Sequence, residues 1–169
     1  DYCRSTRFYG FLTDSWGTSN VMTTVQAAVG LVQLKKLDAF VEARRRLALE
    51  RHKLLEGVEE LELPLEPADR KHTYYLYTVL VKKDWAGEKR DKIIEIMADK
   101  FNIKCIIANP PCYQARKVLR EHTEGQTLPR SDEIGARLLC VPIHPAMLDE
   151  DNAYISAALI ETVGMVKTL

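Results

Sequence analysis

The chain has 169 residues, 46% of them hydrophobic and 28% charged, and its 24 Lys and Arg balance 24 Asp and Glu. That length suits one domain with a core, or a domain plus an appendage, and the composition is that of a soluble globular protein. Zero net charge removes the electrostatic ground for a nucleic-acid or membrane-surface partner, and no apolar run reaches the ~18 residues of a membrane span.

Cys3, Cys105, Cys112 and Cys140 are scattered, with no CxxC pair, which argues against zinc and fits a reducing, cytoplasmic compartment. No secretory pattern opens the chain. It begins DYCRSTRFYG, without an initiator methionine, as though cut from something longer.

Residues 1–20, rich in Gly, Ser, Thr and aromatics, read as a loop or arm, with Thr18, Ser19 or Asn20 as a helix cap. Met22, Val25, Val29 and Val32 then fall on one helical seam, yet Leu31 and Leu34 lie off it. A surface helix shows one apolar stripe, so this one needs cover on a second face. Beyond Leu37 the apolar positions rephase to Phe40/Val41, Leu47/Ala48 and Leu54/Leu55, with charge opposite and Gly57 as C-cap. As a single helix, residues 21–56 would run about 54 Å. A compact domain of this length is only roughly 40 Å across. The helix therefore bends near Leu37–Asp38, or its first half projects.

Residues 60–64 and 72–83 read as strands, 88–102 as an amphipathic helix with Ile93, Ile94, Met97 and Phe101 inward, and 103–108 as a buried strand stopped by Asn109-Pro110-Pro111. Two helices follow, 113–122 and 131–140, the second capped by Ser131. A short extended piece, 140–145, precedes a closing helix with Asp149, Glu150 and Asp151 at its positive end. The expected fold is α+β: a small, mainly antiparallel sheet with helices on one face, preceded by a long helix, kinked or projecting.

No phosphate-cradling glycine motif and no nucleophile or metal-ligand spacing occurs. The basic runs 35–36 and 44–46 read as a solvated helix face, His52 as surface, and His144 as a turn histidine bonded to backbone. Two segments look functional. One is WGTSN, residues 16–20, a polar loop before a helix N-terminus, where an anion is favoured, although a plain capped helix explains it better. The other is ANPPCY, residues 108–113, a rigid turn that either lines a cleft or merely edges the fold.

Four co-linear passages resemble the DegT/StrS sugar aminotransferases: MTTVQAAVGLVQLKKLDAFVEARRRLA, HTYYLYTVLV, RDKIIEIMADKFNIKCIIANPP and CVPIHPAMLDEDNAYISAAL. The resemblance spans residues 16–160. It implies a fold-type-I enzyme that uses pyridoxal 5'-phosphate to move an amino group onto a nucleotide-linked keto-sugar, as a dimer. It further implies that this chain is the C-terminal portion, with an arm at 1–20, a bridging helix at 21–56 and a small domain at 57–169. The cofactor lysine would lie in absent sequence, so no catalytic residue is assigned. This chain alone is expected to be inactive and to bind no cofactor.

The resemblance places Ser19 or Asn20 against the cofactor phosphate, and Asn109 and Tyr113 against substrate. Ser19 stands where the family has asparagine, Asn20 where it has an aromatic, Val21 where it has arginine, and Thr24 where it has glutamate. The cleft motif departs too, with Ala108, Asn109 and Tyr113 replacing two histidines and a tyrosine, and Tyr75 replaces a histidine. The bridging helix 21–37 would form the homodimer contact. Two other readings stay open: a free-standing dimerisation or binding domain derived from that family, and the family's dehydratase branch.

Overall fold

A computed structural model describes residues 2–7, 9 and 14–169, and the chain divides into two compact units, 1–39 and 40–169. Positions 1, 8 and 10–13 of the expected arm lie outside the described residues.

The first unit is more helical than its composition suggests. Tyr2–Arg7 form a short helix, α1, within what reads in sequence as a loop or arm. The Thr18 N–H donates to the Thr6 carbonyl at 2.8 Å, tying the following segment back to α1. Helix α2 spans Thr24–Leu34, and its cap is Thr23 rather than Thr18, Ser19 or Asn20. The Gln26 N–H donates to Thr23 Oγ1 while the Thr23 N–H donates to Gln26 Oε1, a reciprocal pair that satisfies two otherwise orphaned donors.

Helix α2 buries no residue. Val25 and Val29 on the seam are 74% and 58% exposed, and Leu31 and Leu34 off it are 63% and 66% exposed. The double-faced apolar character read from the sequence is therefore present in three dimensions. The helix breaks at Lys35–Lys36, two residues before the expected bend, and α3 (Leu37–Leu54) begins at once.

The second unit holds the core. Strands β1 (Leu61–Glu62), β2 (Tyr77–Val81) and β3 (Leu138–Val141) form one antiparallel sheet with β2 central. In its register Tyr77 faces Val141 and Val79 faces Leu139. Tyr77, Val79 and Val81 alternate onto one fully buried side, the period-two pattern of a half-covered sheet. Leu47 and Leu55 of the α3 region join them there. So do Ile93 and Met97 of α4 (Glu88–Phe101), and Leu159, Val163 and Val166 of α8 (Asp149–Lys167). The α+β class with a small antiparallel sheet stands as expected.

Three local differences have physical causes. Residues 103–108 do not form a strand: only Ile106 bridges Cys140, since Pro110 and Pro111 bring no N–H and Asn109 turns the chain at φ 52°. The inward alternation nonetheless persists, with Ile103 and Cys105 buried. The helix expected at 113–122 is two pieces, α5 (Cys112–Ala115) and α6 (Lys117–His122), separated by extended Arg116. Helix α7 runs Pro129–Arg137, so Ser131 is inside it and not its cap; Pro129 starts the helix, where a missing N–H costs nothing.

Candidate functional site

The residues singled out from sequence fall into two pairs, one in each unit. Ser19 and Asn20 lie together in the exposed segment between α1 and the Thr23 cap. The Ser19 carbonyl accepts the Val21 N–H at 2.8 Å, whereas the Ser19 hydroxyl and the Asn20 amide bond to no described residue. Asn20 borders a shallow recess of about 310 Å³ with Thr6 and Thr18. A hydroxyl and an amide are neutral donors that can hydrogen-bond an oxyanion.

Asn109 and Tyr113 lie on the loop that leads into α5, and that loop is held by α7. The Tyr113 hydroxyl donates to Asp132 Oδ1, and Gln114 Nε2 donates to the same oxygen at 2.6 Å. The carboxylate beside it raises the Tyr113 phenol above its ordinary value. One turn along α7 from Asp132, a Cβ added at Gly135 would stand 2.7 Å from Cδ of Pro111. Proline and helix backbone therefore meet at a separation that only glycine permits. Asp132 and Gly135, on one face of α7, seat the loop. Asp132 reads in sequence as an ordinary capping aspartate, and Gly135 carries no local signal at all.

This seating leaves an open cleft of about 350 Å³ between the loop and α7, bordered by Asn109, Cys112, Arg130 and Ser131. Tyr113 does not line it. Arg130 was missed in sequence because it stands in a short polar stretch with no periodic partner.

A second polar cluster sits under the sheet at the end of α3. His52, expected at the surface, is half-buried: its Nδ1 lies 2.7 Å from the Ala48 carbonyl and its Nε2 2.8 Å from that of Pro64. Beside it Arg51 is fully buried, its Cζ 4.9 Å from the Tyr77 ring centroid, and its Nε and Nη1 find no partner among the described residues. Burial brings the guanidinium down to about 10 and pushes the neighbouring Cys105 thiol up to about 12. A thiol held so high is inert as a nucleophile. The sequence did contain a sign of this burial, because position 51 lies on the seam that joins Leu47/Ala48 to Leu54/Leu55.

The basic run is likewise engaged rather than purely solvated. Arg45 Nη1 donates to Glu66 and to the His72 carbonyl, both at 2.7 Å, and Arg46 reaches Asp149 at 2.6 Å. The ring of His144 makes no hydrogen bond among the described residues; its carbonyl accepts the Met147 N–H at 3.1 Å.

Known proteins provide an independent line. Over 143 residues the chain is 29% identical to the spore coat polysaccharide biosynthesis protein SpsC of Bacillus subtilis, covering 82% of this chain and 36% of that protein. It is 26% identical to the GDP-perosamine synthase of Escherichia coli O157:H7, covering 88% of this chain and 38% of that one. The chain thus spans little more than a third of the curated relatives it matches. Among solved structures, S. venezuelae DesV in complex with a ketimine intermediate superposes with TM-score 0.80 at 25% identity, over 95% of this chain and 43% of DesV. Helicobacter pylori PseC shares the fold with TM-score 0.82 at 21% identity, over 96% of this chain and 45% of PseC. A family model matches residues 3–160, and on that match the chain belongs to the DegT/DnrJ/EryC1/StrS aminotransferase family.

Proposed function

We propose that this chain is the C-terminal portion of a pyridoxal phosphate-dependent aminotransferase acting on nucleotide-linked keto-sugars in the cytoplasm. Its parts are an arm at 1–20, a bridging helix at 21–56 and a small domain at 57–169. The observation that carries this reading is α2: an eleven-residue helix, apolar on both faces and nowhere buried. In a chain that spans 36% and 38% of two of the curated relatives it matches, such a helix calls for further protein against it. We assign that cover to the preceding domain and to a second copy of the enzyme, with residues 21–37 at the homodimer contact.

In this arrangement Ser19 and Asn20 hold the cofactor phosphate through their unspent hydroxyl and amide. The cofactor, when bound, supplies the electron sink for moving an amino group. The 109–113 loop forms a substrate-facing wall, and Asn109, whose amide bonds to no described residue, contacts substrate directly. Tyr113 has its hydroxyl engaged by Asp132 and Gln114, so it acts by keeping the wall in place. The lysine that carries the cofactor belongs to sequence outside this chain, and the chain alone is inactive.

Adding pyridoxal phosphate to the purified chain and reducing with borohydride tests the assignment. No single-site lysine adduct is expected on residues 1–169. A polypeptide extended upstream to the length of the relatives is expected to develop the cofactor absorbance band and to aminate a nucleotide-linked keto-sugar. A stable adduct at one lysine of the isolated chain overturns the division of labour. An extended polypeptide that neither binds cofactor nor dimerises overturns the enzyme reading and leaves a non-catalytic binding domain.

A further inference from the structure

The cleft between the 109–113 loop and α7 separates two kinds of polar group. Tyr113, Gln114 and Asp132 spend their side chains on one another. Asn109, Cys112, Arg130 and Ser131, which border the opening, spend theirs on no described residue. Pro111, Ile134 and Leu138 supply an apolar lining. A recess of about 350 Å³, apolar in the main with a few convergent polar groups, has the make-up of a small-ligand site.

Its chemistry is one-sided. A guanidinium, a hydroxyl and an amide border it, and no carboxylate does. The nearby acid, Asp132, is occupied by Tyr113 and Gln114. Charged donors of this kind favour an oxyanion, and the planar guanidinium fork matches phosphate oxygens in pairs. The cleft does not depend on ligand for its shape, because the contact of Pro111 with α7 at Gly135 and the Tyr113–Asp132 bond already fix its two sides.

We propose that this cleft is a preformed phosphate subsite, with Arg130 as its cation and Ser131 and Asn109 as neutral donors. The inference rests on the reading that the loop faces substrate, and it narrows that reading to the phosphate of a nucleotide-linked sugar. Specificity for that part of the ligand then resides in Arg130 and Ser131, neither of which the sequence marks as a ligand contact, rather than in Tyr113.

Cys112 offers a reporter at the site itself. In a Cys3→Ser variant it is the one exposed thiol among the described residues, since Cys105 and Cys140 are buried. The rate of its alkylation by neutral iodoacetamide is measured without ligand and with inorganic phosphate, pyrophosphate, uridine diphosphate or guanosine diphosphate. Protection that saturates with a diphosphate is expected, and Arg130→Met should weaken the half-protecting concentration about tenfold, as loss of one charge-assisted contact implies. Arg44→Met, which removes an arginine of α3 that pairs with no described residue, should leave it unchanged.

Selective protection by nucleoside diphosphates assigns the subsite to substrate, and equal protection by inorganic phosphate assigns it to free phosphate. No protection at 10 mM of any probe (roughly 2.7 kcal/mol of binding), or equal protection of the wild-type and Arg130→Met chains, overturns the proposal. Should Arg130→Met melt early, Ser131→Ala replaces it with the same expected direction. Alkylation needs neither cofactor nor turnover. A null result here beside a cofactor-binding extended polypeptide therefore discards the subsite alone.

Discussion

Helices α2 and α8 are both rich in aliphatic residues and both carry a single glycine, Gly30 in one and Gly164 in the other. α8 buries eight residues, among them Ile155, Leu159, Val163 and Val166, against α4 and the sheet. α2 buries none. Apolar content thus does not determine burial; what lies opposite does. In α8 the polar residues, Asn152, Ser156 and Thr162, are inside and bonded, Asn152 to the Leu47 carbonyl and Ser156 to that of Asn152. In α2 the apolar residues Val25, Val29, Leu31 and Leu34 are exposed.

The largest test of that contrast is a pair of truncations. Leu159→Ala should cost about 2–5 kcal/mol of stability, the range for emptying a core position, measured by denaturant melting. Leu31→Ala on α2 should change the melt of the isolated chain by less than about 0.5 kcal/mol. If Leu31→Ala proves as costly as Leu159→Ala, the two helices do not differ in the way described.

Gly135→Ala ranks next. It forces a methyl into Pro111 and should cost about 1–3 kcal/mol, with faster alkylation of Cys112 as the loop lifts from α7. At Gly30 an added Cβ meets open space, so Gly30→Ala should stabilise α2 by about 1 kcal/mol, read as slower amide exchange across residues 27–34. If a second subunit packs closely there, the same change weakens dimerisation in sizing chromatography of the extended polypeptide.

The smallest expected effect is on pH dependence. Arg45, then the His72 N–H, holds the Glu66 carboxyl below its ordinary value of about 4.3. A carboxylate with a lowered folded value contributes stability in full above the unfolded value and loses it as pH falls through the folded one. Glu66→Gln should therefore flatten the decline in melting temperature below about pH 4 while leaving the second unit folded at pH 7.

Much of the architecture was legible because burial imposes periodicity. Ile93 and Met97 on α4, and the alternation through Tyr77, Val79 and Val81, are both plain in the sequence. What was not legible depends on neighbours distant in sequence. Arg116 breaks a continuous helical pattern without a proline or glycine to mark it. The exchange of Ser131 for Leu128 as the cap of α7 hinges on Pro129 taking the first helical turn. His52 reads as a surface residue, yet its ring is half-buried between the Ala48 and Pro64 carbonyls. At the candidate cleft, Asn109 and Tyr113 are singled out through family resemblance and Arg130 is not, since nothing local distinguishes it from any exposed arginine.

Arg137 ends α7 one residue before β3 begins. Its Nε donates to the Val81 carbonyl at 2.7 Å, its Nη1 to Glu133 at 3.0 Å, and its Nη2 to Glu62. One head group thus fastens the outer strand, the middle strand and the helix that seats the loop. Any force reaching the cleft wall is passed through that rivet into the sheet, so the wall and the sheet should loosen together rather than in turn.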